Sequence, residues 1–172
     1  KKNKRIFNIM NNYKINSKWC LWYHSINDNK WTKESYKKII NINNLLDYHF
    51  LQKNFERQHL QNGMFFVMRD DIFPTWEDPE NRLGGCISFK IESKNILDSW
   101  NKLFLYLISE NIINDKSQYE EINGISIAPK KEFNIIKIWI RNDNTNYKSL
   151  IKDIEPYYKL EESLYRKHEL EY

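Results

Sequence analysis

The chain has 172 residues, of which 27 are lysine or arginine and 23 are aspartate or glutamate, so its formal net charge is +4. This length allows one domain with a substantial core. The charge excess is too small for a protein that coats DNA, although it is compatible with an anionic ligand. No apolar run approaches the roughly 18 residues of a membrane span. Cys20 and Cys86 stand far apart, which indicates reduced thiols and a cytosolic or nuclear protein.

The first half of the chain alternates polar stretches with short apolar segments. Residues 1–16 are polar and rich in asparagine, which predicts a flexible arm followed by a single domain over residues 17–172. Apolar residues at helical spacing predict a helix, and an asparagine in front of it is suited to cap its first turn. The elements predicted in this half are an aromatic strand over 18–23, a helix over 45–57 capped by Asn43 or Asn44, and a buried strand over 63–69.

Proline and glycine residues divide the second half. The loop over 70–85 contains two prolines and a pair of glycines, which are typical of irregular structure. Most strands are joined by hairpins or long loops, so we expect an α+β fold in which helices back an antiparallel sheet. The elements predicted in this half are a strand over 86–91, a helix over 95–110, a hairpin of 122–128 with 134–141, a helix over 147–160 that Pro156 should end or kink, and an edge strand over 163–169.

The sequence lacks the short motifs that are typical of enzymes. It has no phosphate-binding glycine loop, no His-Glu-x-x-His and no Cys-x-x-Cys, so neither nucleotide hydrolysis nor a zinc site is indicated. Its four histidines show no pattern that joins them to a serine or cysteine nucleophile. We therefore predict that the protein is not an enzyme and uses no metal or cofactor.

Two tryptophans stand in polar surroundings. Trp76 lies in a loop between Pro74 and Pro79, and Trp31 has only polar neighbours from Asn29 to Lys33. Prolines restrict the backbone, so such a loop can present its aromatic ring to a ligand. The other interpretation, in which both rings fold back onto the sheet as core residues, stays open at this point.

Two presented indoles beside a carboxylate form a specific chemical combination. A flat, cationic ring gains stacking and cation–π attraction between two tryptophans. Guanine offers two parallel N–H donors along one edge, and these match the two oxygens of Glu77. Methylation of guanine at N7 makes the base cationic, so these three residues would favour methylated over unmethylated guanine.

Five landmarks of the chain resemble those of the cap-binding translation initiation factor 4E family. Their order and approximate spacing match from about Lys18 to His168. The landmarks are KWCLWY at 18–23, Trp31, IFPTWED at 72–78 followed by Gly84 and Gly85, the helix that contains Trp100, and IKIW at 136–139.

This resemblance implies a curved antiparallel sheet with helices on its convex face and a slot for the mRNA cap on its concave face. Trp31 and Trp76 match the two stacking tryptophans, Glu77 the carboxylate that reads the base, and Trp139 the tryptophan near the N7-methyl group. The other three tryptophans, Trp19, Trp22 and Trp100, match structural positions. The implied function is binding of the 7-methylguanosine cap during translation initiation in the cytoplasm.

The predicted phosphate contacts depart from the family pattern. Cys86 stands where the family commonly has an arginine after Gly-Gly, and Ile135 stands at its second basic position in the hairpin. The resemblance leaves Lys130, with its neighbour Lys131, as phosphate-binding residues, and both could equally be solvated turn residues. Weaker candidates are Arg82 and Arg141.

The partner surface departs as well. The family has an exposed tryptophan on its first helix where this chain has His49, next to Phe50. With Leu105, these residues are predicted to bind an amphipathic helix of a scaffold protein. Five apolar residues could line that groove or belong to the core: Tyr13, Ile15, Leu45, Leu46 and Leu105. Three alternative functions stay open, namely a homologue that represses translation, a protein-interaction module without cap binding, and a cap hydrolase.

Overall fold

The computed structural model describes residues 13–143 and 146–168. These residues form a curved, open sheet of seven strands in the order β2-β1-β3-β5-β6-β4-β7. Every pairing of neighbouring strands is antiparallel, so the predicted α+β fold is confirmed. The strands are β1 Lys14–Ser25, β2 Tyr36–Asn44, β3 Gly63–Arg69, β4 Gly85–Glu92, β5 Ile122–Pro129, β6 Phe133–Ile140 and β7 Leu164–Lys167. The helices are α1 Leu45–Asn54, α2 Arg57–Asn62, α3 Ile96–Ile108 and α4 Tyr147–Leu150.

Alternation along the strands gives the sheet two different faces, because successive side chains of a strand point to opposite sides. On β4, Ile87, Phe89 and Ile91 are buried in the main core with apolar residues of α1, α2 and α3. Cys86 points the other way and packs with Trp139 in a smaller cluster. The helices therefore cover one face, and the opposite face is left for a site.

The three tryptophans assigned to structural positions differ in their burial. Trp19 and Trp100 are buried in the main core, as predicted. Trp22 is half-buried and packs with the smaller cluster on the opposite face, where its ring meets the edge of Phe73 at a centroid distance of 5.1 Å. Trp22 therefore packs on the open face of the sheet and not in the main core.

Several predicted boundaries change in the first half of the chain. Residues 1–12 of the predicted arm lie outside the described residues, whereas 14–16 belong to β1. The edge strand β2 was not predicted, because lysines and asparagines on its open side interrupt the apolar pattern. The predicted helix over 45–57 begins correctly, with the Asn44 side chain accepting from the backbone N–H groups of Leu46 and Asp47. It ends at Asn54, and a separate helix α2 follows.

The predicted helix over 147–160 is wrong beyond its first turn. Only Tyr147–Leu150 is helical. Ile151 then pairs with Ile113, and Ile154 pairs with Tyr158 in isolated bridges. Burial of these side chains in the main core outweighs the local helical pattern, which Pro156 also interrupts. The predicted edge strand is confirmed as β7, although Glu169 lies outside the described residues.

No helix within the described residues is long and apolar enough to cross a membrane.

Candidate functional site

The face opposite the helices contains a cavity of about 400 Å³. All four side chains that were predicted to bind the cap line this cavity, although they come from three separate parts of the chain: Trp31, Trp76, Glu77 and Trp139. The loops after β1 and β3 supply the first three, and β6 supplies the last. The tertiary structure thus brings the predicted residues together.

Trp31 forms one wall and is 56% exposed, so it is not a core residue. Its indole stacks on the buried imidazole of His24, with ring centroids 4.2 Å apart and planes 7° apart. The two ring nitrogens of His24 lie 2.9 Å and 3.1 Å from the carbonyl oxygens of Ser25 and Lys30. These contacts tie both ends of the loop to one ring, so His24 positions Trp31. The sequence analysis did not identify this residue.

The loop that holds Trp76 is fixed by polar side chains. The carboxylate of Asp78 accepts a hydrogen bond from the backbone N–H of Phe73 at 3.0 Å. The fully buried Asn81 donates from Nδ2 to the carbonyl oxygens of Phe73 and Thr75 at 3.0 Å and 2.8 Å. Trp76 therefore remains half-buried at the cavity wall without needing its own ring for the fold of the loop.

Trp139 and Glu77 supply the inner wall and the charge of the cavity. Trp139 is nearly buried, and its Nε1–H donates to the hydroxyl of Ser126 at 2.9 Å, which fixes the ring. Glu77 is exposed. Burial, followed by the negative charge of Glu77, raises the pKa of the nearby Tyr36 phenol to about 12. Tyr36 is therefore neutral at physiological pH, and the carboxylate is the acidic group of the cavity lining.

The predicted phosphate-binding residues lie elsewhere. Lys130 and Lys131 are exposed in the turn between β5 and β6, and Arg82 is exposed in the loop before β4. None of the three lines the cavity. The cation that does line it is Lys137, which the sequence analysis missed. Its position two residues before Trp139 on one strand was the available signal, because residues two apart share a face.

A second cavity of about 530 Å³ adjoins the first and shares Trp76 and Lys137 with it. Its other walls come from β4 and from the end of the described chain. This region is basic, since three of the lining residues are Lys137, Arg166 and Lys167. His168 lines it as well. Cys86 also lines it, and burial raises the pKa of its thiol to about 12, so the thiol is neutral.

Burial and then the charge of Lys137 lower the pKa of His168 below its ordinary value, while Glu77 acts in the opposite direction. The imidazole of His168 binds a proton more tightly in the unfolded chain than in the folded protein. Its contribution to stability is therefore complete above about pH 6.5 and is lost as the pH falls through its folded pKa. We expect the free energy of unfolding to fall less for His168→Gln than for the wild type when the pH is lowered from about 7.5 to about 5. Urea denaturation at both pH values measures this difference. Identical losses in the two proteins would contradict the assignment.

The predicted partner residues lie on the helical face. His49 and Phe50 of α1 and Leu105 of α3 are exposed, Phe50 at 58% and Leu105 at 42%. Of the other candidates for the groove, Tyr13 and Leu46 are also exposed, whereas Ile15 and Leu45 pack against the main core. Four of the candidates are thus exposed apolar side chains, and they are called together here the helical apolar surface: Tyr13, Leu46, Phe50 and Leu105.

Comparison with known proteins agrees with the fold. Residues 14–172 match the family described as Eukaryotic initiation factor 4E. The chain belongs to the eukaryotic initiation factor 4E family, and the resemblance noted in its sequence is confirmed.

Two relatives are the eukaryotic translation initiation factors 4E of Eremothecium gossypii and Saccharomyces cerevisiae. The first is 30% identical over 134 residues, which are 74% of this chain and 62% of the relative. The second is 27% identical over 137 residues, which are 76% of this chain and 62% of the relative. The chain thus spans less than two thirds of the length of either one.

Solved structures show the same fold. Ascaris suum eIF4E-3 with m7G cap has a TM-score of 0.68 at 18% identity, covering 77% of this chain and 76% of its own. Schistosome eIF4E complexed with m7GpppA and 4E-BP has a TM-score of 0.69 at 19% identity, covering 77% of this chain and 73% of its own.

Proposed function

We propose that this chain binds the 7-methylguanosine cap of mRNA in translation initiation, with the base stacked between Trp31 and Trp76. The observation that carries the proposal is the shared cavity, which joins two accessible indoles, the carboxylate of Glu77 and the ring of Trp139. The family and the cap complexes of the two solved relatives support the same ligand.

The geometry suggests how methylation is recognised. A base between two indoles gains stacking energy from both, and a positive charge on the base adds cation–π attraction. Glu77 is exposed and lines the same cavity, so its two oxygens can accept from the two N–H donors of the guanine edge. Trp139, held by Ser126, provides an apolar wall for the N7-methyl group.

The titration of tryptophan fluorescence with 7-methylguanosine triphosphate tests this function. Stacking on Trp31 and Trp76 should quench their emission, whereas unmethylated guanosine triphosphate should produce little change, because the neutral base lacks the cation–π contribution. Equal quenching by the two ligands would contradict cap recognition, and no quenching by either would favour the protein-interaction module.

We also propose that the protein acts in the cytoplasm by binding and not by catalysis. Its cavity is walled mainly by aromatic and aliphatic side chains and has one carboxylate, that of Glu77, in its lining. Incubation of capped RNA with the protein and a divalent metal should release no nucleotide. Time-dependent release of a methylated nucleotide would instead identify a cap hydrolase.

The helical apolar surface is proposed to bind an amphipathic helix of a scaffold protein. Leu46 and Phe50 lie on α1 and Leu105 lies on α3, and these two helices are joined by the hydrogen bond from the Tyr48 hydroxyl to the carbonyl of Asn101 at 3.0 Å. Relatives solved with 4E-BP and with the 4E-binding protein Mextli support a protein partner. A pull-down that recovers a scaffold protein together with capped RNA would favour initiation, and recovery of capped RNA alone would favour a repressor.

We expect Phe50→Asp combined with Leu105→Asp to weaken binding of a 4E-BP peptide at least about tenfold, because two desolvated apolar contacts are lost. The affinity for 7-methylguanosine triphosphate should not change, since these residues lie on the opposite face. Ile39→Asp, at another exposed apolar residue on β2, is the matched control and should bind the peptide normally. Isothermal calorimetry measures both ligands. If the control loses as much affinity as the double variant, the surface is wrongly assigned.

A further inference from the structure

Strand β5 carries one extra residue beside the wall that Trp139 forms. Ile122 pairs with Ile140, whereas Gly124 already pairs with Trp139. Asn123, between them, has no partner of its own on β6 and forms a bulge. A bulge turns the side chain of its extra residue away from the regular alternation of the strand, and bulges are frequent next to functional sites. The fully buried side-chain amide of Asn123 therefore needs polar partners outside the strand ladder.

These partners belong to the loop after β3, which supplies Trp76 to the first cavity. The side-chain Nδ2 of Asn123 donates to the backbone carbonyl of Glu80 at 2.6 Å and to Oδ1 of Asn81 at 2.9 Å. Asn81 is also fully buried, and its own Nδ2 donates to two backbone carbonyls of the loop at 3.0 Å and 2.8 Å. Two amides in series thus hold both ends of the loop segment 73–81 against β5.

The side-chain oxygen of Asn123 is used as well. It accepts a hydrogen bond from Nε of Arg141 at 3.2 Å, and the guanidinium of Arg141 also lies 3.3 Å from the carboxylate of Glu80. That ion pair is partly exposed, so it contributes little to stability. Arg141 directly follows β6 and lines neither the first nor the second cavity. Asn123 is therefore the buried link between the loop of Trp76 and the strand of Trp139.

We infer that Asn123 is a positioning residue for cap binding, which holds the loop of Trp76 and Glu77 in its binding arrangement without touching the ligand. The inference rests on the proposed function. Asn123 lines neither cavity. If the loop leaves its arrangement part of the time, the apparent dissociation constant rises, because it equals the intrinsic constant divided by the competent fraction. Trp31 is held separately by His24, so the effect concerns one wall of the cavity.

We expect Asn123→Ala to lower the affinity for 7-methylguanosine triphosphate about tenfold, the effect of one buried polar group left without its partner. Saturating ligand should still quench tryptophan fluorescence as fully as in the wild type, because the loop regains its arrangement once the ligand is bound. Trp76→Ala should instead lower the amplitude of the quench, since it removes a contact. Titrations at a temperature below the unfolding transition of each variant measure both quantities.

The matched control is Asn134→Ala. Asn134 is also a buried asparagine, but its side chain donates to the hydroxyl of Ser93 at 3.4 Å and lines neither cavity. A general loss of stability does not change the affinity of the folded protein, so this variant should bind the ligand as the wild type does. If folded Asn123→Ala binds as tightly as this control, or if its quench at saturation is as small as that of Trp76→Ala, the inference is overturned.

Arg141→Gln tests the same link through a partly exposed side chain, whose loss the fold tolerates, and it decides the question if Asn123→Ala does not fold. The affinity should fall about threefold, and the loss should persist at high salt, because it does not act through the charge of Arg141. Glu80→Gln removes the ion pair, keeps the hydrogen bond to Asn123 and should bind as the wild type does. An unchanged affinity of Arg141→Gln, or a loss that disappears at high salt, overturns the inference. A wild type that does not prefer 7-methylguanosine triphosphate to guanosine triphosphate would refute the proposed function itself, so the two failures are distinguishable.

Discussion

Trp76→Ala and Trp31→Ala are each expected to weaken binding of 7-methylguanosine triphosphate by about 1–3 kcal/mol, the usual range for one base–aromatic stack. Each change removes one wall of the cavity and leaves the base stacked on one side. The double variant should bind too weakly to measure. Fluorescence of the remaining tryptophans or calorimetry gives the affinities.

The fold should survive both changes, because neither indole is needed for the conformation of its own loop. Asp78 and Asn81 fix the loop of Trp76, and His24 ties down the loop of Trp31. Leu83→Ala is a suitable control, since Leu83 is exposed in the same loop as Trp76 and lines neither cavity. A variant that unfolds would show that its tryptophan is a core residue. Equal affinity of the wild type and the double variant would refute stacking of the base between Trp31 and Trp76.

Glu77→Gln is expected to lower the affinity by about 1.5–3 kcal/mol, the range for hydrogen bonds to a charged group. The substitution keeps the shape but replaces an acceptor oxygen by an N–H donor that faces the donors of guanine. It also removes the negative charge that complements the methylated, cationic base. Titration of this variant and the wild type with 7-methylguanosine triphosphate and with unmethylated guanosine triphosphate measures the effect.

Two neighbouring acids provide the comparison for Glu77. Asp78→Asn should cause a smaller loss, because its carboxylate accepts backbone N–H groups of Phe73 and Glu80 and so supports the loop. Glu80→Gln should have little effect, since Glu80 is paired with Arg141 at 3.3 Å and does not line the cavity. A larger loss for Asp78→Asn than for Glu77→Gln would mean that the wrong acid was assigned to the base.

The sequence by itself determined the elements whose pattern depends on near neighbours. The apolar spacing of α3, the alternation of β4 and the cap at Asn44 all follow from local backbone geometry, and the structure confirms them. The motif around Trp76 and Glu77 was equally readable, because a tryptophan between prolines in a polar loop has few chances to reach a core. Resemblance to the family then indicated Trp31 and Trp139 as well.

Only the tertiary structure decided which distant residues meet. Residues 151–158 leave the helical pattern because their apolar side chains gain more from burial in the main core than from one more helical turn. Arg166 lines the second cavity because β7 pairs with β4, a strand about 80 residues earlier, and such pairings depend on long-range burial and register. Lys130 and Lys131 looked suitable in the sequence, but they line neither cavity. Local pattern therefore indicated the tryptophan and the carboxylate of the loop after β3, and sheet register decided which basic side chains line the second cavity.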